Sequence, residues 1–306
     1  MYKNLRVDDP KTTVIEGLKI AKATGYEGIE VNMEEIAQLV QERSIDYVKS
    51  LFSDAGITIG GWLLPSAWKE DYKYVSPSWE DVKFTWRGGE RQLQNLLKAL
   101  PDFAKIGQEL GCGRVYTWIL TFSDEMDYDD NFRWHVERLH PVVDILRDFN
   151  CRLGLEWQAP KTLRKGRKYE FIKDMKGTLE LCREIEAGRG SVGLLLDSWH
   201  WYLSNGTLED IRKLKAQQVV YVHICDAPPG IPMDRQIDLV RSVPGETGVI
   251  DLIGFLKCLE EIGYDGPVTP SVPGSKTLEG LSLQEEAQVN CNALVKLWQA
   301  AGLEAK

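Results

Sequence analysis

Short apolar strands alternate with helix-length amphipathic stretches from one end of this chain to the other, and that regular alternation is what most restricts its fold. Candidate strands are Lys3–Val7, Gly28–Val31, Ile57–Leu64, Arg114–Ile119, Cys151–Trp157, Val192–Asp197, Val219–Asp226 and Pro267–Val272. Between them the apolar period is helical, as where Leu252, Phe255, Leu256 and Leu259 share one face, and Ala287, Cys291, Leu294 and Trp298 another. Thr207-Leu-Glu-Asp210 reads as a capping-box helix start. Gly25, Gly56, Gly111 and Gly263 each stand where a helix should stop before the next strand.

Strand–helix alternation implies parallel strands joined by right-handed crossovers. Eight such units in 306 residues predict an α/β fold, a single (β/α)8 barrel spanning 1–306, with one long insertion at about 65–87. A doubly wound open sheet is the rival. It calls for a glycine-rich phosphate loop after an early strand, and Gly88-Gly89 follows the insertion instead.

The formal charge of −9 argues against a nucleic-acid surface, because such affinity rests on Lys and Arg neutralising phosphates. One basic run, Lys161 to Lys168, stands against that background as a substrate-attracting lid or a solvated loop. No apolar run is long enough to span a membrane, so no membrane partner is expected. The opening residues lack the apolar core of a secretory signal, and the six cysteines are scattered without a Cys-x-x-Cys pair. The expected address is cytoplasmic.

In such a barrel the chemistry gathers at the C-terminal ends of the strands. Those positions supply Glu30, Trp62, Trp118, Glu156, Asp197, His200, His223, Asp226 and Ser271. A carboxylate closing an apolar strand is expensive to bury unpaired. Each one alone is compatible with an ion pair or a loop cap. Together, acids and imidazoles at the mouths of three successive strands form a donor set suited to a divalent cation.

The phrases Gly-Leu-Glu156, Leu-Asp197-Ser-Trp-His200, Val-His223-Ile-Cys-Asp226 and Pro-Gly-Glu246-Thr-Gly, in this order, resemble the xylose-isomerase-like barrel superfamily. The resemblance implies a sugar, keto-sugar or inositol isomerase or epimerase that takes a proton from the carbon beside a carbonyl. It implies a divalent metal (Mn, Mg, Co or Zn) on Glu156, Asp197 and His223, with Glu156 a catalytic base. A fourth ligand, a glutamate, is expected on the last strand, but here Gly266-Pro-Val-Thr-Pro leads to Ser271.

The serine removes one of the two carboxylates that two-base epimerisation needs. Three outcomes stay open. One is single-base isomerisation or dehydration with His200 as the acid. Another has Glu246 swinging in as ligand or base, and the third is a carbohydrate-binding barrel that has lost activity.

Ten tryptophans are present, and Trp62, Trp118, Trp157, Trp199 and Trp201 stand near strand ends. Such a set suggests an aromatic wall for a sugar or polyol. Trp62, Trp118 and Trp199 are the candidate substrate contacts, and the resemblance implies Arg235, rather than Arg241, as a cation for substrate oxygens. Glu246 and Ser271 complete that group. The insertion, with Trp79, Trp86 and Tyr72 to Tyr74, could cover the site or join subunits of a homo-oligomer.

Overall fold

The computed structural model describes residues 1–7, 11–65, 86–186 and 190–303. Eight parallel strands close into a barrel: β1 (Tyr2–Leu5), β2 (Gly28–Val31), β3 (Thr58–Leu63), β4 (Arg114–Ile119), β6 (Arg152–Trp157), β8 (Val192–Asp197), β9 (Val219–Ile224) and β10 (Pro267–Pro270). Two further two-residue strands, β5 (Phe122–Ser123) and β7 (Tyr169–Glu170), pair antiparallel outside it. This ribbon is too short to carry a periodicity, and no strand is expected there from the amino-acid pattern. Each barrel strand neighbours the next barrel strand in the chain, and β1 pairs with β10 to shut the ring.

All eight expected strands are present, and their ends differ for local reasons. β9 stops at Ile224 because Asp226 leaves the ladder to bridge Ser242. Its carboxylate then accepts backbone N–H groups from Ala227, Thr247, Gly248 and Ile250. β10 ends at Pro270, and the next N–H, that of Ser271, still donates to Ile224 O at 3.0 Å.

The local signals also held. Thr207 and Asp210 form a reciprocal capping box. Gly25, Gly56, Gly111 and Gly263 all take the left-handed conformation that ends a helix without a Cβ penalty.

Strand side chains alternate between the barrel interior and the helical layer. Inside, Tyr116, Leu195 and Tyr221 form a buried cluster with Leu63 packed against it. Asn4, fully buried, donates to the Tyr221 hydroxyl (2.8 Å) and Thr269 Oγ1 (3.1 Å). Glycines on β3 make room for this filling. A Cβ on Gly60 would lie 2.0 Å from Asn4 Oδ1, and one on Gly61 would lie 2.5 Å from the Tyr221 ring. The filled interior is a floor, and the open mouth above it is the C-terminal rim.

Among the described residues no helix is long and apolar enough to cross a membrane. The six cysteines are buried and unpaired with one another. Residues 66–85 of the expected insertion, including Trp79 and Tyr72 to Tyr74, lie outside the described residues.

Candidate active site at the barrel mouth

Five acids and bases from four strands meet above the tyrosine floor. β2 contributes Glu30, β6 Glu156, β8 Asp197 with His200 one turn later, and β9 His223. Register explains the meeting. Trp118 is level with Glu156 on the neighbouring strand, and Asp197 is level with His223.

His223 is the pivot. Its Nε2 lies 3.4 Å from Glu30 Oε1, and its Nδ1 lies 3.2 Å from Glu156 Oε1 and 4.0 Å from Asp197 Oδ2. Burial pulls this imidazole down, but the bonds to Glu156 and Glu30 outweigh it and raise its pKa to about 9. Glu30 is itself fixed by the hydroxyls of Tyr116 (2.7 Å) and Tyr221 (2.9 Å), with Arg6 3.9 Å away. Burial would raise its pKa, yet the His223 bond and Arg6 bring it below the usual carboxylate value.

The two oxygens of Asp197 divide their work. Oδ1 accepts the Trp199 N–H at 2.7 Å, capping the helix Ser198–Leu203. Oδ2 accepts from Arg241 Nη1 at 2.8 Å and faces His223. Burial is again opposed, here by Arg241 and the two imidazoles, and the carboxyl is held well below its ordinary range. Glu156 is likewise oriented, since Gln158 Nε2 donates to its Oε2 at 3.1 Å.

His200 is fully buried. Its Nδ1 accepts the Ala159 N–H at 3.2 Å, and its Nε2 lies 3.8 Å from Asp238 Oδ1. Arg241 binds the same Asp238 oxygen at 3.1 Å and lies 3.4 Å from His200 Nε2.

This donor set fits a divalent cation. With ligand bonds of about 2 Å, neighbouring donors should stand roughly 3–4 Å apart, as His223 Nδ1 does from Glu156 and Asp197. Donor atoms of Glu156, Asp197 and His200 also lie within 4.8 Å of one another. Glu30 on Nε2 leaves the His223 Nδ1 lone pair for the ion, the outer carboxylate arrangement usual for histidine ligands.

Other expected residues lie elsewhere. Trp62 is fully buried outside the barrel wall, where its indole N–H reaches Cys112 O at 3.3 Å beside the helix Glu90–Glu109. Trp199 is also fully buried, with Arg241 5.4 Å over its ring. Trp157 and Trp201 donate to His200 O and Thr207 O. The expected aromatic wall is therefore mostly packing, and of these five only Trp118 keeps partial exposure, beneath the Arg87 guanidinium at 3.7 Å.

Arg235 is exposed on a single 3-10 turn, and the arginine brought into the site is Arg241. Glu246 is exposed as well. It accepts the Val243 N–H at 2.9 Å and the Thr277 hydroxyl, so it is held away from the acids at the mouth.

Ser271 does reach the rim, with its hydroxyl 3.4 Å from Arg6 Nη1 and 3.5 Å from Arg241 Nη1. The basic run is partly anchored. Arg164 donates to Ala159 O, and Arg167 pairs with Asp124, both at 2.8 Å.

Sequence reasoning passed over Tyr116, Tyr221, Gln158, Arg6 and Asp238. Tyr116 and Tyr221 stand two residues before Trp118 and His223, so the two-residue strand period points to them. Asp238 lies in an irregular loop and had no such signal.

A family model described as xylose isomerase-like TIM barrel matches residues 18–292. The inosose isomerase of Bacillus licheniformis is 35% identical over 181 residues, 59% of this chain and 60% of that protein. The 3-dehydroshikimate dehydratase of Pseudomonas aeruginosa is 25% identical over 274 residues, 89% of this chain and 38% of that protein. The matched stretch thus spans less than two thirds of either relative. The solved structure of an IOLI protein with a bound zinc atom superposes with a TM-score of 0.75 at 18% identity, over 100% of both chains. At that identity it speaks for the fold alone.

Proposed function

The chain belongs to the xylose isomerase-like TIM barrel family, and on that premise we propose that it is a divalent-metal-dependent enzyme acting on a cyclic keto-polyol. The reaction is removal of a proton next to the carbonyl, leading to isomerisation. The observation that carries this reading is the convergence of Glu156 and Asp197 within 4.0 Å of His223 Nδ1, with Glu30 behind His223 on Nε2. The zinc of the IOLI structure and the inosose isomerase relative support it.

Glu156, Asp197 and His223 would hold the ion. Bound there, it would supply positive charge beside the carbonyl oxygen, where negative charge develops as the proton leaves. The remaining work falls to the chain. Glu156 is the base: Oε1 faces the ion site, while Oε2, held by Gln158, keeps a lone pair for the substrate proton. His200 is the acid, its ring oriented by the Ala159 N–H on Nδ1. Arg241 and the Trp199 N–H fix Asp197 and keep it ionised. Trp118 offers an apolar surface for the substrate ring.

A second reading, dehydration by the same base and acid, is favoured by Ser271. One carboxylate base with one imidazole acid suffices to remove a proton and a neighbouring hydroxyl. Glu246, which could have been a second base, is tied to Thr277. The dehydratase relative agrees with this reading.

The test is solvent-deuterium exchange into a cyclic keto-inositol, followed by proton NMR with Mn2+ present. Exchange at the carbon beside the carbonyl is expected in the wild type, with a loss of at least a hundredfold in Glu156→Gln. Loss of water from the substrate would select dehydration. Exchange that persists in Glu156→Gln would remove the proposed base.

A further inference from the structure

We propose that Gln158 determines substrate specificity: its amide nitrogen holds the base Glu156, and its amide oxygen accepts a hydroxyl on the substrate carbon that loses its proton. This rests on the reading of Glu156 as the base, and it narrows the substrate to a ketone with a hydroxyl on the neighbouring carbon.

The two oxygens of Glu156 face different groups. Oε1 lies 3.2 Å from His223 Nδ1, and Oε2 accepts from Gln158 Nε2 at 3.1 Å. An ionised carboxylate only accepts, so the Gln158 amide turns its nitrogen toward Glu156 and its oxygen away. That oxygen takes no donor from the protein among the described residues, and it is not sealed from solvent. The side chain as a whole is only 9% exposed. An acceptor in such a place is costly to leave dry and unpaired, so a substrate that covers it has to supply a donor.

The backbone that carries this amide is pinned on both sides. Trp157 Nε1 donates to His200 O, and the Ala159 N–H donates to His200 Nδ1, both at 3.2 Å. Gln158 is thereby placed between the base and the ring proposed as the acid. Because Oε1 and Nε2 share one carbon, a group bonded to Oε1 stands next to the proton that Glu156 Oε2 removes. A hydroxyl there is what isomerisation needs. The proton taken by Glu156 is returned to the former carbonyl carbon, and the hydroxyl oxygen becomes the new carbonyl. Its O–H proton passes to the former carbonyl oxygen, and no oxidant is required.

The probes are a cyclic keto-inositol and the same ketone with hydrogen in place of both hydroxyls beside the carbonyl. Deuterium exchange next to the carbonyl is followed by proton NMR with Mn2+ present, for wild type, Gln158→Met and Gln158→Ala. Each rate is divided by that of hydroxide-catalysed exchange into the same ketone. Wild type should favour the hydroxylated ketone by about 10- to 100-fold, the loss expected when a buried acceptor goes unpaired. In both variants that preference should collapse toward unity.

A glutamine that only orients Glu156 would slow both ketones by the same factor in the variants and leave the preference intact, which overturns the proposal. Equal normalised rates in wild type overturn it without recourse to any variant. Exchange into both ketones alike sinks this role of Gln158 and leaves Glu156 as the base, whereas exchange into neither removes the enzyme reading together with it.

Discussion

Arg241 donates to Asp197 Oδ2 at 2.8 Å, across 44 residues of chain and below the solvent-accessible surface. The same guanidinium holds Asp238, so one cation balances two buried acids. Breaking a buried pair by removing one partner typically destabilises by about 3–5 kcal/mol, because the other charge is left uncompensated. Arg241→Met should therefore lower unfolding stability in urea by that order. Saturating Mn2+ should restore part of it, since a cation beside Asp197 replaces the missing charge. A loss below about 1 kcal/mol would show that the pair is not needed to balance Asp197.

Glu30 should act on metal through His223. It does not face the ion site directly, but it receives His223 Nε2 at 3.4 Å and is itself held by two tyrosine hydroxyls. Loss of such an outer partner usually weakens metal binding about 10–100-fold. Glu30→Gln is expected to do so in a Mn2+ titration while leaving the circular dichroism spectrum unchanged. An unaltered affinity would make Glu30 a packing residue only.

His135 gives the fold a sensitivity to acid. It is buried, stacks on Phe171, meets Trp86 and Trp134 edge-on, and bonds through Nδ1 to the Asn131 carbonyl at 2.8 Å. Burial, the dominant cause, and the nearby Arg87 and Arg138 lower its pKa to about 3. An unfolded histidine titrates near 6.5. Because the folded value is depressed, the contribution of the neutral ring is complete above about pH 6.5. It falls as the unfolded chain takes up the proton, until the folded ring also protonates near pH 3. Over that window the loss is on the order of 5 kcal/mol. The check is to compare urea unfolding of wild type and His135→Phe at pH 7 and pH 4. Wild type should lose the larger share of its stability on acidification, and equal losses would contradict the assignment.

Gly61 is required by the Tyr221 ring. A Cβ there would sit 2.5 Å from the ring and 2.9 Å from the Arg114 carbonyl, and backbone cannot step aside cheaply. Gly61→Ala should destabilise by about 1–3 kcal/mol. It should also disturb the site above, because Tyr221 carries a hydrogen bond to Glu30. Thermal melting and Mn2+ affinity read the two effects separately.

The fold was legible because it is written in local signals. Eight apolar runs, a capping box at Thr207 and glycine stops at Gly25, Gly56, Gly111 and Gly263 each depend on neighbours in sequence. The ribbon of β5 and β7 was not, since two residues carry no period. At the site, strand ends placed Glu156, Asp197, His200 and His223 correctly at the mouth.

A residue near a strand end faces either the interior or the helices according to parity. Trp62 and Trp157 fall on the outward parity, and Trp199 and Trp201 fall in the short helix packed below the rim. Choosing between Arg235 and Arg241 depended on a loop without periodicity, and there the buried acids Asp197 and Asp238 decide.

The account turns on whether Glu156, Asp197 and His223 hold one cation. Titration of chelator-treated protein with Mn2+, followed by the electron paramagnetic resonance of free Mn2+, measures that directly. We expect one ion per chain, with binding lost in Glu156→Gln, Asp197→Asn and His223→Ala and unchanged in Glu246→Gln. Protein that binds no Mn2+, or binds it equally well in all four variants, would contradict the account.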